Sequence, residues 1–155
     1  MDRLENVSWR IVEQKHFAEV GKKEFQDSKL KFYYDIDECF TQQNPNVLIL
    51  SNVLQYLEKP YDLLDEILKN DFDFVLVDRT TFSRKGVDEI KLQVVNPNIY
   101  DASYPCWFLN FGNLLTYFRE KGYRLVETFD SFEVKSKEFC FSGMILQKIH
   151  TAPAH

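Results

Sequence analysis

Apolar and polar positions along this chain switch repeatedly between a strand period and a helix period. Val7–Val12 (VSWRIV) places Trp9, Ile11 and Val12 on a strand that ends at Glu13-Gln14. Phe17, Val20, Gly21 and Phe25 follow at roughly helical spacing and predict a helix over Phe17–Gln26. Leu30–Tyr34 alternates loosely and stops at Asp35, as a second strand would, and Asp37–Thr41 reads as a turn or short helix. Val47-Leu48-Ile49-Leu50 is a continuous apolar run between Asn44-Pro45-Asn46 and Ser51-Asn52, the pattern of a strand buried in mid-sheet. Val53, Leu54, Tyr56, Leu57, Leu63, Leu64, Ile67 and Leu68 then recur at helical spacing to about Asn70, interrupted at Glu58-Lys59-Pro60.

Phe72–Val77 (FDFVLV) predicts a further strand ending at Asp78-Arg79-Thr80-Thr81. Phe82–Trp107 lacks periodicity except over Glu89–Val95, where Ile90, Leu92 and Val94 alternate. So long a connection is expected to be functional, and its aromatic end, Tyr100–Trp107 (YDASYPCW), suits a loop folded over a pocket. Phe108–Lys121 has a helical apolar face stopped by Gly122. Tyr123–Phe129 and Phe139–Gln147 predict an antiparallel hairpin, and His150–His155 a frayed tail. The order β-α-β-α-β-α-β-loop-α-β-β specifies one α/β domain over 1–149, with right-handed crossovers, an antiparallel closing strand and a flexible tail over 150–155.

Composition narrows the function classes. Hydrophobic residues at 45% and charged ones at 28% place the chain among soluble globular proteins. A net charge of -5 argues against nucleic acid and acidic membrane surfaces, because phosphate contacts need clustered Lys and Arg. The N-terminus is too charged for a secretory signal and no apolar run approaches membrane-spanning length, so a cytoplasmic location is expected. Cys39, Cys106 and Cys140 are an odd number without C-x-x-C spacing, which suggests reduced buried thiols and neither a disulfide framework nor a metal site.

Polar residues at strand ends are the candidates for chemistry, because ligands of open α/β sheets sit where strands end. Glu13 is placed to accept hydrogen bonds from ribose hydroxyls, or is a solvated strand boundary. Asp35 ends the next strand and reads as a turn former. Ser51 and Asn52 cap the following helix or project into a cleft, with Gln55 one turn on. Asp78 and Arg79 bind a polar substrate or form a salt-bridged turn, and Tyr104 and Trp107 line a pocket or pack on the core.

Trp9-Arg10-Ile11-Val12-Glu13-Gln14, Leu54-Gln55-Tyr56-Leu57, Pro60-Tyr61, Val77-Asp78-Arg79-Thr80 and Tyr100–Pro105 together resemble class I S-adenosylmethionine-dependent methyltransferases, in particular a bacterial group without an assigned substrate. The resemblance implies a Rossmann-like sheet, mostly parallel with an antiparallel C-terminal strand, here lacking the first strand and its glycine-rich turn. It implies S-adenosylmethionine as cofactor, with Glu13 and Gln14 at the ribose, Asp35 near the adenine and Ser51 beneath the sulfonium. Asn52 and Asp78 become the catalytic candidates, and Arg79, Tyr104 and Trp107 would meet a small-molecule or glycan substrate. In the family's strand order the missing strand lies between those ending at Glu13 and Ser51. The two strands would then pair directly, be covered by a second copy, or belong to a longer protein. Hence a homodimer through exposed strand edges is one expectation, and a non-catalytic self-association module is the alternative function.

Overall fold

The computed structural model describes residues 5–42, 44–131 and 136–150, which form two compact units divided between Pro45 and Asn46. The tail expected over 150–155 lies, His150 apart, outside the described residues.

In the first unit, β1 (Trp9–Val12) and β2 (Leu30–Tyr33) pair in parallel, joined by α1 (Lys15–Glu24) and followed by α2 (Ile36–Gln42). The helix predicted over Phe17–Gln26 is shifted two residues and turned. Ala18 and Gly21 are its buried positions, whereas Phe17, Val20 and Phe25 are exposed. Steric contact explains the choice: a Cβ on Gly21 would lie 2.3 Å from the ring of Phe32 on β2, so only the smallest side chain lets helix and strand approach.

The second unit is built on a four-stranded sheet of order β3-β4-β8-β7. Its strands are β3 (Val47–Ser51), β4 (Phe74–Ser83), β7 (Tyr123–Asp130) and β8 (Phe139–Lys148). β3 and β4 are parallel, and the β4–β8 and β7–β8 pairs are antiparallel, as expected of the closing hairpin. The apolar spacing after Asn52 resolves into a single 3-10 turn, Leu54–Tyr56, and then α3 (Pro60–Ile67). The break falls where Pro60 opens α3, a position at which its missing N–H is harmless. α4 (Phe111–Glu120) is capped by Asn110, whose Oδ1 accepts from the Asn113 amide at 2.9 Å, and ends before Gly122 at φ 82°. Leu54, Leu64, Val75, Val77, Phe82, Leu109, Leu114, Phe118, Tyr123, Met144 and Leu146 fill the core between helices and sheet.

Three expectations are corrected here. β3 is an edge strand of its sheet, not a central one, and Val47 and Ile49 are 42% and 40% exposed. β4 does not stop at Val77. It passes through a register shift between Val77 and Thr80 and continues to Ser83, so that Asp78 and Arg79 sit in a bulge inside the strand rather than in a turn beyond it. The bulge rests against Gly143, where a Cβ would come within 2.7 Å of the Val77 carbonyl oxygen. Finally, the connection expected as a loop folds into an antiparallel hairpin, β5 (Glu89–Val94) and β6 (Ser103–Phe108), placing Tyr104 and Trp107 on a strand.

No helix among the described residues is long and apolar enough to cross a membrane, and no group of three or more His, Cys, Asp and Glu among them is placed to hold a metal ion.

Candidate functional site

Within the second unit, the ends of β3 and the β4 bulge converge. The Asn52 amide donates to the Asp78 carbonyl at 3.0 Å, carrying the ladder one residue past Ser51. Asn52 and Arg79 then both adopt left-handed backbone conformations, φ 57° and 52°. Such a conformation is ordinary for Asn but costs an Arg on the order of 1 kcal/mol, and strain of this kind clusters where function holds it.

Gln55 ties the two turns together. It is fully buried, and its Nε2 donates to Asn52 Oδ1 at 2.6 Å and to the Arg79 carbonyl at 3.0 Å. Its Oε1 is buried without a hydrogen-bond partner among the described residues. The expectation that Ser51 and Asn52 cap the next helix is not met: Val53 opens the 3-10 turn without a side-chain cap, and Asn52 bonds the Gln55 side chain instead.

Asp78 faces the same junction. Ser51 Oγ donates to Oδ2 at 3.2 Å and Ser131 Oγ to Oδ1 at 3.5 Å, orienting the carboxylate from the end of β3 and from the residue after β7. Its carbonyl also accepts from Thr80 Oγ1 at 3.3 Å.

The hairpin adds aromatics. Tyr104 meets Tyr56 edge to face with ring centroids 5.4 Å apart, and its hydroxyl lies 3.4 Å from that of Tyr100. The hydrogen bond to Tyr100, then loss of solvent and the neighbouring Tyr56, push the Tyr104 phenol up to about 12, so it stays neutral near pH 7. The Trp107 indole N–H donates to the Leu57 carbonyl at 2.9 Å, and Thr81 Oγ1 donates to the Trp107 carbonyl at 2.6 Å. These bonds clamp β6 to the 3-10 turn and to β4.

Ser51, Asn52, Asp78, Arg79, Tyr104 and Trp107 thus all lie on elements tied together by these contacts. Glu13, Gln14 and Asp35 belong to the first unit. Glu13 is exposed just beyond β1, and its Oε2 accepts from the Gln14 amide at 2.8 Å. Asp35 Oδ1 accepts from the Glu38 amide at 2.7 Å, while Glu38 Oε2 accepts from the Tyr34 amide at 2.9 Å. Asp35 thus caps the start of α2.

Ser131 and Tyr56 were not among the sequence candidates. Tyr56 is one of a run of apolar-spaced residues and carries no signal of its own; Ser131 reaches Asp78 only through the β7–β8 hairpin. An open depression of about 430 Å³ is lined by Phe111, Thr128, Phe129, Asp130 and Ser142 and by none of the predicted site residues.

No protein-family model and no curated protein matches this chain. Among solved structures it is similar to the N-terminal domain of EvdMO1 with SAH bound, at TM-score 0.61 and 15% identity over 95% of this chain and 67% of that one. The same domain in the presence of SAH and D-fucose gives TM-score 0.61 and 15% identity over 95% and 69% of the two chains. The glycopeptide N-methyltransferase MtfA complexed with (S)-adenosyl-L-methionine matches at TM-score 0.57 and 8% identity, over 90% of this chain and 76% of that one. At such identities the likeness is one of fold, and this chain has the fold of these S-adenosylmethionine- and SAH-bound proteins, a methyltransferase among them.

Proposed function

We propose that this chain is an S-adenosylmethionine-dependent methyltransferase domain acting on a small molecule or a glycan. The observation that carries the reading is the fold shared with structures holding SAM or SAH. The D-fucose accompanying one neighbour and the glycopeptide named for another support the acceptor class.

Each unit, taken by itself, offers residues whose chemistry suits part of the cofactor. Glu13 keeps Oε1 for a ribose hydroxyl while Oε2 takes the Gln14 amide, which holds the carboxylate in place. Ser51 ends β3 and Asn52 follows it in a left-handed conformation. The bound cofactor supplies an electrophilic methyl group on sulfur. What remains for the protein is alignment and removal of a proton. Asn52 orients the acceptor, and Asp78, held by Ser51 and Ser131, takes the proton. Arg79, Tyr104 and Trp107 form the substrate's side of the site.

Calorimetric titration with S-adenosylhomocysteine tests the reading. Saturable binding near one site per chain is expected, weakened about tenfold or more in Glu13→Ala, since a hydrogen bond to a charged group contributes about 1.5–3 kcal/mol. Absence of binding at millimolar ligand overturns it.

A second reading, self-association, is favoured by one observation. β3 and β1 are edge strands of their sheets, and Val47, Ile49, Trp9 and Val12 on them are exposed. A second copy pairing at such an edge would complete the ladder.

A further inference from the structure

Which end of the Asn52 amide faces a ligand is decided by a chain of donors and acceptors that starts in the backbone. The Arg79 carbonyl can only accept, so the Gln55 atom 3.0 Å from it must be the amide nitrogen. That nitrogen donates its other proton to the Asn52 atom at 2.6 Å, which must therefore be Oδ1. Asn52 Nδ2 is left as the end available outside the junction, on a residue that is half-buried rather than sealed. The orientation of Gln55 is set by its nitrogen alone, because Oε1 is buried with no partner among the described residues. Flipping the carboxamide would set oxygen against the Arg79 carbonyl and break both bonds. Gln55 has a residue exposure of 0%.

We infer that Gln55 is a positioning residue that locks Asn52 as a hydrogen-bond donor, so that the site binds an oxygen acceptor there, a carboxylate or a hydroxyl. Resting on the methyltransferase reading, this oxygen has two sources: the amino-acid carboxylate of the cofactor or a hydroxyl of the methyl acceptor. An ammonium or protonated amine, which offers only donors, is not what Asn52 holds; Asp78 is the acceptor for such a group.

The test uses the intact chain labelled with 15N. In the free protein the Gln55 Nε2 protons exchange slowly with water and those of Asn52 Nδ2 quickly. Exchange of the Gln55 amide at the rate of an exposed one removes the lock and overturns the inference, whatever S-adenosylhomocysteine does. Failure of S-adenosylhomocysteine to bind, with Gln55 protected, overturns the methyltransferase reading and leaves the lock standing. Where it binds, Asn52→Asp is the informative variant, because Asp keeps an acceptor for Gln55 and tolerates the left-handed turn but replaces the outward donor with an anionic oxygen that repels a carboxylate. If the oxygen is the cofactor's, S-adenosylhomocysteine shifts the Asn52 Nδ2 resonances and binds the variant about tenfold or more weakly. 5′-Methylthioadenosine, without the carboxylate, then does neither. If the oxygen is the acceptor's, the wild-type Asn52 resonances move only when D-fucose is added to the S-adenosylhomocysteine complex. Unmoved Asn52 resonances with every probe overturn the inference. In Gln55→Met, close in volume, Asn52 is free to turn and the further loss from Asn52→Asp shrinks, a coupling that a merely structural Gln55 does not produce.

Discussion

At the scale of single residues, burial decides reactivity more than residue type does. Cys39 and Cys106 are 3% and 1% exposed, and Cys140 is half-buried on β8. Loss of solvent pushes the Cys39 and Cys106 thiols up, which lowers their thiolate fraction at any pH below the shifted value. A thiol-disulfide dye at pH 8 should therefore label Cys140 first, with the other two reacting only when denaturant is added. Three fast equivalents from the folded chain would contradict the packing. Sequence reasoning anticipated free buried thiols from the odd count and spacing, but nothing in three isolated cysteines said which would lie nearest solvent.

The elements show how one small residue sets a strand's course. β4 carries the bulge that presents Asp78 and Arg79, and β8 accommodates it at Gly143. An added Cβ there meets Phe129 Cζ at 2.2 Å, which a ring can yield to, and the Val77 carbonyl oxygen at 2.7 Å, which the ladder holds. Gly143→Ala should lower stability by about 1–3 kcal/mol as an overpacked core position does. The check is urea denaturation, with a lower midpoint and an unchanged slope. A midpoint at the wild-type value would mean the bulge adjusts freely. The bulge explains why the FDFVLV strand was expected to end too early: Asp78-Arg79 breaks the alternation in sequence, and only the partner strand keeps the two halves of β4 in one sheet. The hairpin of β5 and β6 was hidden for a related reason. Its apolar positions Ile90, Leu92 and Val94 are exposed, while Lys91, at the opposite pleat, reaches Glu138 at 3.0 Å.

Across the whole molecule, what matters is where ladders stop. In β3 the Asn46 carbonyl and Asn52 amide bond toward β4, so by the alternation of a strand the backbone groups of Val47, Ile49 and Ser51 point the other way. An edge of that kind with apolar side chains favours pairing with another chain, and a lysine on it opposes pairing. Sedimentation velocity on the wild-type chain and on Ile49→Lys distinguishes the outcomes. Self-association through β3 predicts a wild-type dimer that becomes monomeric in the variant without loss of folded signal. A wild-type monomer across micromolar concentrations removes self-association as a function of this edge.

The pattern of apolar and polar residues determined by itself the α/β class, the order of most elements and the closing hairpin, because periodicity, Gly and Pro act locally. It also brought Ser51, Asn52, Asp78, Arg79, Tyr104 and Trp107 forward, since strand ends and aromatic clusters are visible along the chain. Tertiary structure alone decided that β3 is an edge, that Asp78 is held by Ser131 53 residues away, and that Asn52 Oδ1 accepts from Gln55. Each of these depends on which groups from distant segments meet, and in particular on a backbone carbonyl, at Arg79, whose direction no side-chain pattern records.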